Sequence, residues 1–454
     1  MSVKDRPKGF PARVCHVASQ VKDSTFWITV FAALYLALLP MSGTIALRNV
    51  TLVLLCGFLI WCKLRNQFAF QWPIPVLLWV SYLLLFPFIS EDPSIAVHSL
   101  VSQWGRGVVA MMAGTGVASV LFNKNRSSAF NVGLISALPV LLHLFLFAWK
   151  ARETSSIPWG YWGRESHHAD LGYAAGQSVV LFAAAIAAGK NKNRRWAFAL
   201  ILACLLSTAL ASSRAGLAFA LVGGVLVFAI VCITRAKQQY AQFFLAILGL
   251  LFAGLAFLSI AVKEDSRWPT MSADLLVGFL GNPIQIECEG TSSIKSQIIA
   301  QFGAGEKAER VISSVNNGDA ARVVVLRAGI TLATKHPWGS DGSRLAYQNL
   351  LKKQCADPAI LMAHTHNGWL DTVLTLGWVG GALYFTVLLY FLIIGYRFLK
   401  TSTNANEWAI VLAALASFWI LRGAIDSVFK DHMLEMQGFL LAYAATSMRF
   451  YRIE

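Results

Sequence analysis

Apolar residues run along this chain in long stretches separated by short polar segments, and only once is that rhythm interrupted for long. A stretch of about 20 mostly apolar residues is what a helix needs to cross a bilayer. Twelve stretches can be marked: 26–47, 50–62, 71–89, 105–122, 130–149, 173–189, 195–211, 214–234, 241–262, 368–395, 407–425 and 433–448. The pattern predicts an all-α polytopic membrane protein of about twelve transmembrane helices, with the short second stretch extended at both ends. The interruption is the segment 263–367, which mixes apolar runs (Ile298 to Phe302, Val323 to Leu332) with Gly/Pro turns and so reads as a folded, mainly helical loop. Within it, Val323 to Thr334 reads as a helix ended by His336-Pro337. The expected organisation is an N-terminal bundle, 1–262, with about nine spans and a small loop at 150–172; the large loop, 263–367; and about three further spans, 368–454. No internal repeat is visible.

Composition agrees: 56% of the 454 residues are hydrophobic and 13% charged, about half the charged fraction of an ordinary soluble domain. The first apolar run is too long for a signal-peptide core and lacks a clear cleavage site, so it reads as a retained span. The net charge of +15 does not call for a nucleic acid, because basic residues between spans set orientation. With the N-terminus inside, the inner segments carry 19 Lys and Arg and the outer ones eight, the large loop excluded. That bias places both termini in the cytoplasm and 263–367 and 150–172 outside. The large loop holds 11 basic and 10 acidic residues, so an anion site there must come from particular arginines. Cys15, Cys56, Cys62, Cys204 and Cys232 fall in spans or on the inner side; Cys288 and Cys355 share the large loop and are expected to form a disulfide in an oxidising compartment.

Four features of the outer side carry candidate chemistry. His366 and Asn367 stand where the large loop meets a hydrophobic helix, followed by Gly377, Gly380 and Gly381. An imidazole there can accept a proton near neutral pH. Gly377 and Gly381, four apart, suggest a small-residue packing face that would fix the imidazole. Ser212-Ser213-Arg214-Ala215-Gly216 joins two spans with almost no loop, which sets Arg214 at the outer boundary, against the orientation bias. Its planar fork suits phosphate oxygens, whereas the bland reading is a snorkelling arginine. Arg322 opens the loop helix, with Arg327 beyond it and Pro337-Trp338-Gly339 after it. The loop from Trp159 to Asp170, with Tyr161, Trp162, Arg164, His167 and His168, reads equally as an interfacial aromatic belt or as a sugar-stacking or lipid-guiding surface. Arg106 and the pair Arg422 and Asp426 are further outer-side candidates, the pair being four apart and so suited to a local ion pair.

His364-x-His366 is not the i,i+4 zincin pair, the outer loops hold no tight carboxylate pair except Glu91-Asp92 before Pro93, and no Gly-rich loop with Lys-Ser/Thr occurs. Neither a divalent metal, ATP nor any other cofactor is expected.

Together these residues resemble the O-antigen ligase family, within the O-antigen ligase/polymerase superfamily of bacterial envelope enzymes. The family's His-[Asn/Ser/Gln]-x9-Gly-x-x-[Gly/Thr/Tyr] is matched by His366, Asn367, Gly377 and Gly380. Ser-Arg-x-Gly at a span boundary is matched by Ser213, Arg214 and Gly216. A third motif, Arg-x3-Trp followed by Pro-x-x-Gly, is matched by Arg322 and Pro337, but Leu326 replaces the Trp and Gly339 comes one residue early. The resemblance implies a GT-C-like plan in the bacterial inner membrane. It further implies metal-independent, inverting transfer of polysaccharide from undecaprenyl pyrophosphate to a sugar hydroxyl of lipid A-core, on the periplasmic face. It casts His366 as general base, Arg214 and Arg322 as pyrophosphate ligands, and Arg164 and Arg106 as helpers. The nearest alternative, an O-antigen polymerase, is expected to divide its function between two sizeable outer loops, and here one dominates. A protein-glycosylating relative uses the same donor. A secondary transporter would show paired halves and mid-span charges, which this chain lacks.

Overall fold

The computed structural model describes residues 12–41, 43–65, 72–122, 128–161, 168–189, 193–234, 240–264, 271–401, 406–429 and 431–450, and every regular element among them is helical. The bundle opens with α1 (Ala12–Leu38), α2 (Ile45–Leu64) and α3 (Ile74–Leu85). Next, α4 (Pro93–Ser99) runs through a π-turn at Leu100–Trp104 into α5 (Gly105–Phe122). It continues with α6 (Ala129–Ser136), α7 (Leu138–Thr154), α8 (His168–Ala187), α9 (Arg194–Leu210), α10 (Arg214–Thr234) and α11 (Tyr240–Glu264). The large loop contains α12 (Met271–Val277), α13 (Pro283–Glu289), α14 (Lys295–Phe302), α15 (Glu306–Asn317), α16 (Asp319–Lys335) and α17 (Ala346–Gln354). The chain returns through α18 (Gly368–Thr401), α19 (Glu407–Gly423) and α20 (Asp431–Phe450).

Each apolar run is helical, but the count of twelve crossings is not established. Among the described residues, five helices are long and apolar enough to span a bilayer (α2, Asp170–Ala187 within α8, α10, Ala241–Ile260 within α11, and α18), and the pair α6 and α7, bent by 44°, makes a sixth. Several of the others fall short for visible reasons. Helix α3 has 12 residues and α9 and α19 have 17 each. Helix α20 buries Glu435 and Gln437 among its neighbours. The first run, read as 26–47, is divided: α1 stops at Leu38 and α2 starts at Ile45. Pro40 cannot continue the hydrogen-bond ladder, and Gly43 takes a φ of +75°.

Close backbone approach organises the bundle. Helix α5 lies along α20, where a Cβ on Gly114 would come within 2.2 Å of Phe439 O. Residues Asp170–Ala187 of α8 are wholly interior, and α8 crosses α10 where a Cβ on Gly172 would come within 2.7 Å of Gly216 Cα. Gly216, the last residue of the Ser-Arg-x-Gly segment, therefore serves this crossing.

Helices α12–α17 form a domain at one end of the bundle, hereafter the loop face. One of its cores joins Val325, Leu332, Tyr347 and Leu350 to Leu370, Val373 and Leu374 of α18; another joins Val277, Ile286, Ile298, Val311 and Val324. Cys288 and Cys355, 67 positions apart, are disulfide-bonded with a Cα–Cα distance of 5.9 Å. In the chain-entropy account a loop of that length contributes up to about 4 kcal/mol. The unreduced protein should resist alkylation at both cysteines, and Cys288→Ser with Cys355→Ser should melt earlier. Equal melting of the variant and the parent would deny the bridge that role.

Helix α18 is broken at Gly377, whose φ of +76° and ψ of 173° are not helical. The polar groups freed by the break are bound from outside the helix. Trp378 N donates to Pro337 O (3.0 Å), Gly342 N to Thr375 O (3.3 Å) and Tyr82 Oη to Leu376 O (2.6 Å). A Cβ on Gly377 would lie 2.5 Å from Trp338 C, and one on Gly339 would lie 2.4 Å from Gly377 N. The Pro337-Trp338-Gly339 turn is thus the partner of the break. This corrects the expectation of a small-residue face at Gly377 and Gly381. Gly377 meets loop backbone, Gly381 meets Val373 of its own helix, and Gly380 faces Leu376 and Tyr82. Before the break, Leu370, Val373 and Leu374 pack with the loop-domain core, while Trp369 and Leu376 pack with the bundle.

Candidate active site

His366 lies just before α18, with φ +55°, a left-handed conformation that a residue with a Cβ rarely takes. Its neighbours hold it there. Asp371 Oδ1 accepts from Thr365 N (2.9 Å) and from Thr365 Oγ1 (2.7 Å), and Asp371 Oδ2 accepts from Ser427 Oγ. Asn367 Oδ1 accepts from Leu370 N (2.9 Å), as an N-cap side chain does, and Asn367 Nδ2 donates to Ala424 O (2.7 Å). Gly368 N donates to Asp426 O (2.9 Å). Asn367 of the His-Asn motif is therefore a cap and a tie to the end of α19, and it leaves the chemistry to its neighbour.

The His366 imidazole is half-buried, with the His364 ring centroid 4.5 Å away. Burial first, then His364 and Arg322, push its pKa down to about 4, against the opposing pull of Asp426 and Asp371. It is thus neutral at physiological pH, as a proton acceptor must be. Asp426 is held below the usual carboxylate range: burial opposes its charge, but Arg422, Tyr173, His366 and the Ser427 amide outweigh burial. Arg422, 1% exposed, donates to Asp426 Oδ2 (2.9 Å) and to Ala215 O (2.7 Å) and lies over the Tyr173 and Phe219 rings. Tyr173 Oη donates to the same Asp426 Oδ2 (2.9 Å). The local ion pair expected of Arg422 and Asp426 is present, and it also binds α8, α10 and α19 together beneath His366.

Arg214 stands at the start of α10 and Arg322 in the first turn of α16. Their guanidiniums reach the same atom, Asp319 Oδ1, at 3.0 and 3.7 Å. The fold brings these two arginines together, and Arg322 is near enough to act electrostatically on His366. Ser213 is buried at the α9–α10 turn. Arg327 instead closes the loop domain, donating to the carbonyls of Gly278, Leu280 and Gly281. Arg106 belongs to another group at the loop face: its Nε is 3.7 Å from Glu435 Oε1, and Tyr35 Oη donates to Glu435 Oε2 (2.7 Å). Arg164 lies outside the described residues. Glu91 joins the loop domain to the bundle through His336 (2.7 Å) and Lys353, and Asp92 caps α4, so that pair is structural.

Asp319 and Asp371 were not singled out by sequence reasoning. Asp319 had a readable signal, three residues before Arg322 on a helix, whereas its bond to Arg214 crosses the fold. Asp371 had none, because its partners are contributed by two separate segments.

A bundle of apolar helices carries a disulfide-bonded helical domain, and between them a neutral histidine stands near two arginines that converge on one carboxylate. The O-antigen ligase family model matches residues 197–385, which include Arg214, Asp319, Arg322, His366, Gly377 and Gly380, and this match supports assigning the chain to that family. Among curated proteins none matches the chain. The family is one of ligase- and polymerase-type glycosyltransferases, which act on lipid-linked polysaccharide.

Proposed function

We propose that this protein is an O-antigen ligase, transferring polysaccharide from undecaprenyl pyrophosphate to a sugar hydroxyl of lipid A-core at the periplasmic face of the inner membrane. The observation that carries this reading is the convergence of Arg214 and Arg322 on one anionic oxygen, with a neutral imidazole in their field. His366 takes the proton from the acceptor hydroxyl. The oxygen forms its bond to the anomeric carbon on the face opposite the leaving group, and the bond from that carbon to the pyrophosphate oxygen breaks with its electron pair. Configuration inverts. Asp426 and Asp371 favour the imidazolium that forms, and the two guanidiniums neutralise the charge growing on the pyrophosphate. That charge neutralisation requires no metal.

Arg214→Lys should lose most transfer activity, because an ammonium cannot reproduce a planar fork. The measurement is glycan transfer by purified protein in excess chelator. Parental rates in the variant would remove Arg214 from the site, and rescue of the parent by magnesium alone would show a metal requirement.

Orientation is part of the proposal: both termini cytoplasmic, with the α12–α17 domain periplasmic. An impermeant thiol reagent added to intact spheroplasts should modify a cysteine placed at Lys307 and spare one at Lys192. The reverse pattern would put the site on the wrong side for its donor.

A further inference from the structure

Asp319 has no place in the transfer chemistry, yet it occupies the centre of the candidate anion site. Its side chain is 12% exposed, and one oxygen receives both Arg214, itself 16% exposed, and Arg322, 53% exposed. Two guanidiniums held this close repel each other, and repulsion is costly where water is partly excluded. A carboxylate oxygen between them presents the charge and geometry that a phosphate oxygen would present. The arrangement also joins the bundle to the loop domain, since Arg214 opens α10 and Asp319 opens α16.

Resting on the pyrophosphate reading above, we propose that Asp319 is a resident anion in the pyrophosphate seat. It holds the two arginines convergent while the seat is empty and competes with pyrophosphate once the seat is filled. A pyrophosphate linking a lipid to a sugar carries two ionised oxygens, matching two arginines. Transfer leaves a terminal pyrophosphate with a further charge, which the same arginines bind more tightly. A carboxylate ready to reclaim the arginines weakens that grip and so speeds departure of the charged product. Asp319 is then a positioning residue that trades pyrophosphate affinity for turnover.

The test is direct binding of inorganic pyrophosphate to the purified full-length protein in detergent, by calorimetry, for the parent, Asp319→Asn, Asp319→Glu and Arg214→Ala. Asparagine keeps the shape and removes the charge; glutamate keeps the charge. The competition predicts that Asp319→Asn binds pyrophosphate at least about threefold more tightly than the parent, a gain that structural damage does not produce. Asp319→Glu should stay near the parent, and Arg214→Ala should bind more weakly. If Asp319→Asn is not recovered folded, Asp319→Ser, which suits a helix start, serves as the neutral variant. Unchanged or weaker binding by the neutral variant, with Arg214→Ala also weakened, overturns the role of Asp319 and leaves the pyrophosphate reading standing. Parental binding by Arg214→Ala overturns both.

Discussion

His366→Ala is expected to lower glycan transfer about 10²–10⁴-fold, the usual cost of removing a positioned general base, while leaving affinity for the donor unchanged. The two arginines are held by Asp319, so loss of the imidazole should leave the anion seat intact. The pH dependence follows from the direction of the shift. Because the pKa of His366 is pushed down to about 4, the free enzyme holds the active neutral form throughout the neutral range. The acid limb of kcat/KM should appear only as pH falls through that value, well below the value of about 6.5 for an unperturbed histidine. Burial is the largest cause and His364 the next, so His364→Ala should keep most activity and move the acid limb to higher pH. A limb near pH 6.5 in the parent would mean that His366 is open to solvent. A limb that stays in place in His364→Ala would mean that the two rings act independently.

Gly377→Ala should be the most damaging conservative change outside the chemistry. The residue has φ +76°, and a methyl group there would lie 2.5 Å from Trp338 C and 2.7 Å from Trp338 O. Those atoms are backbone and cannot swing aside. Strain at positive φ and expulsion of the Pro337–Gly339 turn together should cost about 2–4 kcal/mol. The effect should be regional: the turn anchors the loop domain to α18, so limited proteolysis should cut sooner within residues 271–367 while the bundle stays protected. Gly381→Ala, where the close atom is the end of the Val373 side chain, is the milder comparison. Equal protease resistance in Gly377→Ala and the parent would show that the interlock does not hold the domain in place.

The difference between these two glycines marks where sequence reasoning stops. Helix positions were legible because apolar length alone announces them, and α5 and α10 fall on the residues the pattern marks. Number of crossings was less legible, since Pro40 and Gly43 lie inside an apolar run and turn it. Gly377 and Gly339 could each be noticed, but that one is the socket of the other depends on tertiary docking. His366, Arg214 and Arg322 were legible as chemical types at a boundary. The bond from Arg214 to Asp319 was not, because a contact from α10 to α16 leaves no trace in local spacing. Arg106 could be read as a boundary arginine, but its partner Glu435, on a distant helix, could not.

Ligation itself can be observed by reconstituting the purified protein in liposomes with an undecaprenyl-pyrophosphate-linked polysaccharide and lipid A-core, then separating the lipid products by gel. The parent should yield polysaccharide-capped lipid A-core with inverted configuration at the new linkage, and His366→Ala should yield none. Extension of the lipid-linked polymer with the core left uncapped, or capping by a well-folded His366→Ala, would contradict ligation with His366 as the base.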